Sequence, residues 1–243
     1  MDGTMALTGR ISSGRITCLA LPQPPEGAVE ALKSLGGPTS AVADALDELG
    51  IAGVVGSATL PGSIPGACIV GPALTLRNVA RQGTPTALVR GAENRMADLE
   101  AHNLARPGDV IVIQGLPGCS NMGGVAARIG HRQGEAGAII DGGVRDIGES
   151  RGIGYPIWAR ELTPLTGKWR LEAVEVNGPV DICGVRVYPG DLVVADDCGV
   201  CFVPHAHIPA VVAAALKKDR AERAKVAEID AGLSVPELAG APR

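Results

Sequence analysis

The run from Asp109 to Asp146 constrains this chain more than any other part of it. Asp109-Val-Ile-Val-Ile-Gln114 is short, apolar and β-branched, and Pro107-Gly108 turns the chain into it, as expected of a buried strand. A glycine-rich loop follows at 115–124, then a helical stretch at 125–133 and a second apolar strand, Ala138-Ile-Ile140. Strand, loop, helix and strand in that order make a βαβ unit, which closes as a right-handed parallel crossover. The chain is therefore read as an α/β protein organised around this unit.

The flanking sequence fills in the rest. Residues 1–25 have no periodicity and end in Pro22-Gln23-Pro24-Pro25, an N-terminal arm leading into a single α/β domain at 26–243. Thr39 or Ser40 is expected to cap a helix running to Leu49, with Val42, Leu46 and Leu49 on one face and Gly50 as its stop. Residues 67–76 are β-rich, and 86–102 read as one helical stretch. Short strands are predicted near 157–162, 171–176, 180–188, 192–196 and 200–203, with turns at Asn177-Gly178, Pro189-Gly190 and 197–199; together they form a small β-rich lobe. A helix at about 208–229 closes the chain, with Ile208, Val211, Val212, Ala215 and Leu216 at core spacing.

Composition excludes several functions. With 22 basic and 26 acidic residues and no long run of one sign, the chain lacks the basic face needed for nucleic-acid phosphates. Two Trp, two Tyr and one Phe leave no stacking platform for single strands, so the core is built from Ala, Val, Leu and Ile. The uncharged stretch 51–76 carries Pro61, Pro65, Pro72 and five glycines, which rules out a clean membrane-spanning helix. Met1-Asp2-Gly3-Thr4-Met5 lacks the order of a signal peptide, and six scattered cysteines then read as free thiols of a cytoplasmic protein.

Two segments carry candidate chemistry. In Ile139-Ile-Asp-Gly-Gly-Val-Arg-Asp146 the strand is expected to end at Asp141 and the chain to turn at Gly142-Gly143. Arg145 and Asp146 then face outward at the carboxyl edge, where open α/β sheets bind ligands. Arg grips a carboxylate or polarises a carbonyl, and Asp holds a divalent cation. The plain alternative is that Asp146 caps a helix starting at Ile147, with Glu149 completing a capping box. The loop at 115–124 lacks the Lys and Ser/Thr of a P-loop and the glycine spacing of a dinucleotide site. It is either an ordinary loop or, leading into a helix N-terminus, a seat for a small carboxylate. Cys198, Cys201, His205 and His207 lie too close together for the usual zinc spacing, and the two cysteines flank what reads as a tight turn between strands. Asp196-Asp197 also reads as a turn, and His102 as a charge at a helix C-terminus.

Five segments, in order, resemble the RraA-like proteins, a family that includes 4-hydroxy-4-methyl-2-oxoglutarate aldolase. They are Thr39-Ser-Ala-Val-Ala-Asp-Ala-Leu46, Gly71-Pro-Ala-Leu-Thr75, Pro107-Gly-Asp-Val110, Ile139 to Asp146 as above, and Pro189-Gly-Asp-Leu-Val-Val-Ala-Asp-Asp-Cys-Gly-Val200. The resemblance implies a compact α/β fold assembled as a trimer or dimer of trimers, with sites between subunits. It also implies a Mg²⁺- or Mn²⁺-dependent carbon–carbon lyase that cleaves 4-hydroxy-2-oxo acids to release pyruvate, or decarboxylates oxaloacetate.

Residue by residue, Arg145 matches the arginine on the substrate oxygens and Asp146 the carboxylate that holds the metal, partly through water. Amides of Gly123, Gly124, Val125 and Ala126 match the carboxylate-binding loop. Glu222 matches most closely the glutamate that a neighbouring subunit contributes from its C-terminal helix. One departure stands out: the family's acidic residue 21 positions before the arginine is Gly124 here. Aldol cleavage needs a base for the 4-hydroxyl and decarboxylation does not, so the gap bears more on the first. Asn121, Gln114 and His131 are near in sequence, but their spacing makes none a base. Two other readings follow: a non-catalytic regulator that binds a ribonuclease, as some relatives do, and a family lyase or hydratase with a different substrate, for which Gly124 would open space beside the metal.

Overall fold

The computed structural model describes residues 6–239; the first five residues, including those read for a leader, lie outside the described residues. The first half runs α1 (Ala28–Lys33), α2 (Pro38–Glu48), β1 (Val54–Gly56), β2 (Ile69–Ala80), α3 (Pro85–Arg90) and α4 (Asp98–Leu104). The crossover follows as β3 (Val110–Gln114), β4 (Ser120–Met122), α5 (Gly124–Gln133), β5 (Gly137–Val144) and α6 (Ile147–Gly152). The second half holds β6 (Ile157–Leu162), β7 (Leu171–Val176), β8 (Val180–Ile182), β9 (Val185–Val187), β10 (Leu192–Asp196) and β11 (Gly199–Val203). Helices α7 (Ile208–Asp230) and α8 (Val235–Leu238) close it.

The βαβ unit is the parallel heart of a mixed sheet. β3 pairs in parallel with β2 (Ala73 opposite Val110) and with β5 (Val110 opposite Gly137), and β5 pairs in parallel with β4 and β6. β2 is 12 residues long and joins the halves, because its ends also take β10 and β7 as antiparallel partners. β11 and then β1 extend that antiparallel side, while β8 and β9 form a separate hairpin around a turn with positive φ at Cys183 and Gly184. The β-rich second half is thus built into the sheet, β7 and β10 through β2 and β6 through β5, rather than standing apart as a lobe.

Alternation along β3 divides the core. Ile111 and Ile113 point to one face and pack with Leu74, Leu76, Ile140 and the alanines of α4 and α5. Val110 and Val112 point to the other, with Ile139, Trp158, Val193 and Phe202. A third cluster seats α1, α2 and the first turns of α7 on Val70, Leu192, Val194 and Val203. The described part of the arm lies against the first cluster through Ile11 and Leu21, and Thr17 N donates to Val176 O (3.0 Å). Among the described residues no helix is long and apolar enough to cross a membrane, and 51–76 forms β1, turns and the start of β2.

Several sequence expectations change. α2 starts at Pro38 with no side-chain cap, so neither Thr39 nor Ser40 is the cap. Thr39 lies inside the first turn, and Asp196 accepts from its N (3.1 Å) and Oγ1 (2.6 Å). Asp196 is the last residue of β10 rather than part of the turn; it accepts Cys198 N from that turn (2.8 Å) and doubles as a long-range cap. The stretch 86–102 is two helices, broken where Ala92 takes φ 53° and Arg95 O accepts Ala173 N from β7 (2.9 Å). Cys201 is buried with Sγ near Thr39 O (3.5 Å), and Cys198 is exposed.

His102 is not a surface charge. It is fully buried, with Nδ1 2.8 Å from Glu135 Oε1, and Tyr155 Oη donates to Glu135 Oε2 (2.6 Å). The reason is position: α4 packs on α5, which brings its C-terminus against the residues that follow α5 rather than against water. Removing the central acceptor would strand two buried polar partners. We expect Glu135→Ala to lower unfolding free energy by about 3–5 kcal/mol in urea titration. A change under about 1 kcal/mol would contradict this account.

Asp109 supplies a pH test. It is 2% exposed and accepts Arg106 N (2.8 Å) in the turn before β3. Burial pushes its carboxyl up to about 6 from an ordinary 3.8, with the Arg106 bond and charge opposing and Glu135 adding to the rise. The folded state therefore holds this proton to a higher pH than the unfolded chain, and stability falls as pH rises through that interval. Asp109→Asn should melt about 2–4 °C higher than the parent at pH 7.5, with the gap closing by about pH 4. A pH-independent difference would refute the titration of Asp109 as its source.

Candidate functional site

The loop at 115–124 is organised by one side chain. Asn121 is fully buried; its Oδ1 accepts Leu116 N (3.1 Å), and its Nδ2 donates to Leu116 O (2.9 Å) and Cys119 O (3.2 Å). It is therefore a structural staple. β5 does not end at Asp141 but runs on to Val144 beside β4. Gly142 sits inside the strand rather than in a turn, and packing keeps it glycine: a Cβ there would lie 2.4 Å from Asn121 Nδ2. Gln114 is likewise engaged, accepting Asp181 N (3.0 Å).

This packing sets two chain ends side by side. Arg145 leaves β5 with its N donating to Met122 O (3.1 Å), and Gly123 precedes α5 in extended conformation. Asp146 takes φ 56° and ψ 33°, a left-handed conformation that Asp tolerates better than most residues. Asp146 does stand at the N-cap of α6, which begins at Ile147 as expected, but its side chain makes no cap bond to that helix. Asp146 Oδ2 instead lies 3.3 Å from Gly124 N and 3.3 Å from Arg145 Nε. Among the described residues the next two amides of α5, at Val125 and Ala126, have no acceptor, as first-turn amides do when a ligand is to supply one.

A cavity of about 270 Å³ opens at this junction, lined by Gly123, Gly124, Val125, Ala126, Arg145 and Asp146 together. Those are the residues the sequence singled out, apart from Glu222. Glu222 is exposed on the outer part of α7 and does not line the cavity of its own chain. The lining also contains Arg10 from the arm, Asp98 from the first turn of α4, and Lys168. Sequence reasoning missed all three. Arg10 lies in a segment without periodicity, Asp98 falls inside what reads in sequence as one long helix at 86–102, and no motif surrounds Lys168.

The expected opening beside Gly124 is absent. A Cβ on Gly124 would meet Glu149 Cβ at 3.0 Å and Asp146 Cβ at 3.1 Å, so α6 fills that position. Glu149 itself pairs with Arg128 (2.9 Å) at the surface, and His131 lines an adjoining hollow along α5 that shares Gly124, Val125 and Asp146 with the cavity.

Among the described residues no group of three or more His, Cys, Asp or Glu side chains could hold a metal ion. The cavity offers Asp146 and the half-buried Asp98, oxygen donors only. A single carboxylate such as Asp146 fits a hard cation that keeps most of its water and also meets the substrate, as Mg²⁺ does. It does not fit a closed zinc cage.

The RraA-like family profile, described as Aldolase/RraA, matches residues 39–202, which include all of this loop and the Arg145-Asp146 pair. The chain belongs to the RraA-like family. This family member is 32% identical over 190 residues to a Halalkalibacterium halodurans protein called "Putative 4-hydroxy-4-methyl-2-oxoglutarate aldolase", covering 77% of this chain and 82% of that one. It is 30% identical over 171 residues to Legionella pneumophila protein DlpA, covering 70% of this chain but only 27% of DlpA. An uncharacterised protein from Pseudomonas syringae has a similar structure, with TM-score 0.74 and 26% identity over 89% of this chain and 98% of that one. Streptomyces coelicolor RraAS2, described as an unusual member of the RNase ES inhibitor RraA family, aligns with TM-score 0.69 and 28% identity over 84% of this RraA-like chain and 98% of its own.

Proposed function

We propose that this chain is a divalent-metal-dependent carbon–carbon lyase acting on short 2-oxo acids, by oxaloacetate decarboxylation, 4-hydroxy-2-oxo acid cleavage to pyruvate, or both. The observation that carries this reading is the convergence of Arg145, Asp146 and the free amides at Val125 and Ala126 on one cavity. The free amides at Val125 and Ala126 receive the substrate carboxylate at the positive end of α5. Arg145 donates to the oxygen that gains charge as the carbon–carbon bond breaks. Asp146 is the carboxylate that would hold Mg²⁺ or Mn²⁺, which supplies Lewis-acid stabilisation of an enolate when bound.

Decarboxylation needs no base, so these groups suffice for it. Aldol cleavage needs an acceptor for the 4-hydroxyl proton, and Gly124 provides none. Asp98 takes that role: besides Asp146 it is the carboxylate lining the cavity among the described residues.

The assembly in this reading is a homotrimer or hexamer, with Glu222 meeting the site of a neighbouring copy. In support, the outer half of α7 is exposed in the single chain and carries Val226 and Ile229 at 47% and 50% exposure. A cytoplasmic location accords with the six free cysteines. The regulator reading draws on Gly124 and on the likeness to RraAS2; a calorimetric titration finding one Mn²⁺ site per chain would count against it.

Asp146→Asn keeps a residue that tolerates the left-handed conformation while removing the charge. It should weaken Mg²⁺ binding and cut metal-dependent pyruvate release from oxaloacetate by about 10–100-fold, with an unchanged melting curve. Equal rates in the two proteins would refute the role of Asp146, and no pyruvate from any short 2-oxo diacid in the parent would refute the function. Asp98→Asn should slow cleavage of a 4-hydroxy-2-oxo diacid by about 10²–10⁴-fold while leaving oxaloacetate decarboxylation within about twofold. Parallel losses in both reactions would contradict a base role.

A further inference from the structure

The N-terminal arm is fastened to the site by a buried carboxylate. Glu100, on α4, is fully buried and accepts four hydrogen bonds from the arm: Thr8 N to Oε1 (3.1 Å), and Thr8 N (2.9 Å), Thr8 Oγ1 (2.6 Å) and Gly9 N (3.1 Å) to Oε2. Asn103, one turn further along α4, donates to Glu100 Oε1 (3.2 Å) and to Ala6 O (3.0 Å). Burial alone would push this carboxyl up, but these bonds outweigh it and hold it below the ordinary value, so the group is a charged acceptor. A buried carboxylate satisfied by backbone amides fixes the arm as firmly as a short loop, and the residue it delivers next is Arg10.

Arg10 lines the cavity that holds Arg145 and Asp146, although it lies well outside the family match at 39–202. Among the described residues it makes no ion pair, whereas Arg145 is within 3.3 Å of Asp146. The free amides at Val125 and Ala126 provide for one substrate carboxylate, and the exposed Arg10 guanidinium on the arm side of the same cavity is placed to meet a second. We propose that Arg10, positioned by the Glu100 clasp on Thr8 and Gly9, binds the second, distal carboxylate of a 2-oxo dicarboxylate and so sets the preference for diacids over monoacids. This rests on the 2-oxo acid reading of the site and assigns the arm a part in it. The planar fork of Arg suits a carboxylate held in one orientation.

The test compares 2-oxoglutarate with 2-oxopentanoate, which differ by a carboxylate against a methyl at the far end, in calorimetric binding to the full chain in Mg²⁺ buffer. The parent should prefer the diacid, and Arg10→Gln should weaken diacid binding by about 10–100-fold while leaving the monoacid within about twofold. Glu100→Gln should reproduce the diacid-selective loss and speed tryptic cleavage of the Arg10–Ile11 bond. If that variant fails to fold, Thr8→Val removes the 2.6 Å hydroxyl donor and should show the same pattern more weakly. Binding of both acids with no selective loss in Arg10→Gln overturns the role of Arg10 alone, as do equal losses for the two acids. Failure of the parent to bind either acid overturns the reading of the site and this role with it.

Discussion

The packing of a buried amide under a glycine decides where the chemistry of this protein can be. Asn121 ties the loop after β3 to itself through Leu116 and Cys119, and it fits only because Gly142 leaves it room against β5. With that contact made, β4 lies beside the end of β5 and α5 starts next to Asp146. The amide donors of one segment and the guanidinium and carboxylate of another then share one cavity. A side chain at 142 would displace the staple first and the site second.

The same economy appears at Gly124. A Cβ there would press on both Glu149 and Asp146, so the residue keeps α5 and α6 close enough for the Gly124 amide to reach the Asp146 carboxylate. The absence of an acidic side chain at this position is therefore tied to the local packing and is not an open space. Charge within the cavity comes from elements far apart in the chain: Asp98 from α4, Lys168 from the segment before β7, and Arg10 from the arm.

Much of the architecture was legible in the sequence because it rests on local rules. The β-branched runs at 110–114 and 138–140 are strands, the glycine-rich segment between them leads into a helix, and Ile208, Val211 and Ala215 mark the inner face of α7. Errors arose where a distant contact overrode a local preference. Thr39 looked like a cap, yet Asp196 provides the cap from the far end of the chain. The helical signal through 86–102 was real but is interrupted where Arg95 joins β7. His102 looked like a terminal charge because its partner, Glu135, is 33 residues away.

By itself the sequence determined the class of fold, the parallel crossover and the Arg145-Asp146 pair at the carboxyl edge of a strand. Periodicity, turn chemistry and residue type all act within a few residues of where they are read. Only the tertiary structure decided what surrounds that pair. Whether the Asp146 side chain closes the N-terminus of α6 or faces a cavity depends on α5 approaching from across the loop, and the presence of Arg10 beside it depends on a carboxylate 90 residues further along the chain. Such proximities are set by how the sheet brings elements together, and no local pattern records them.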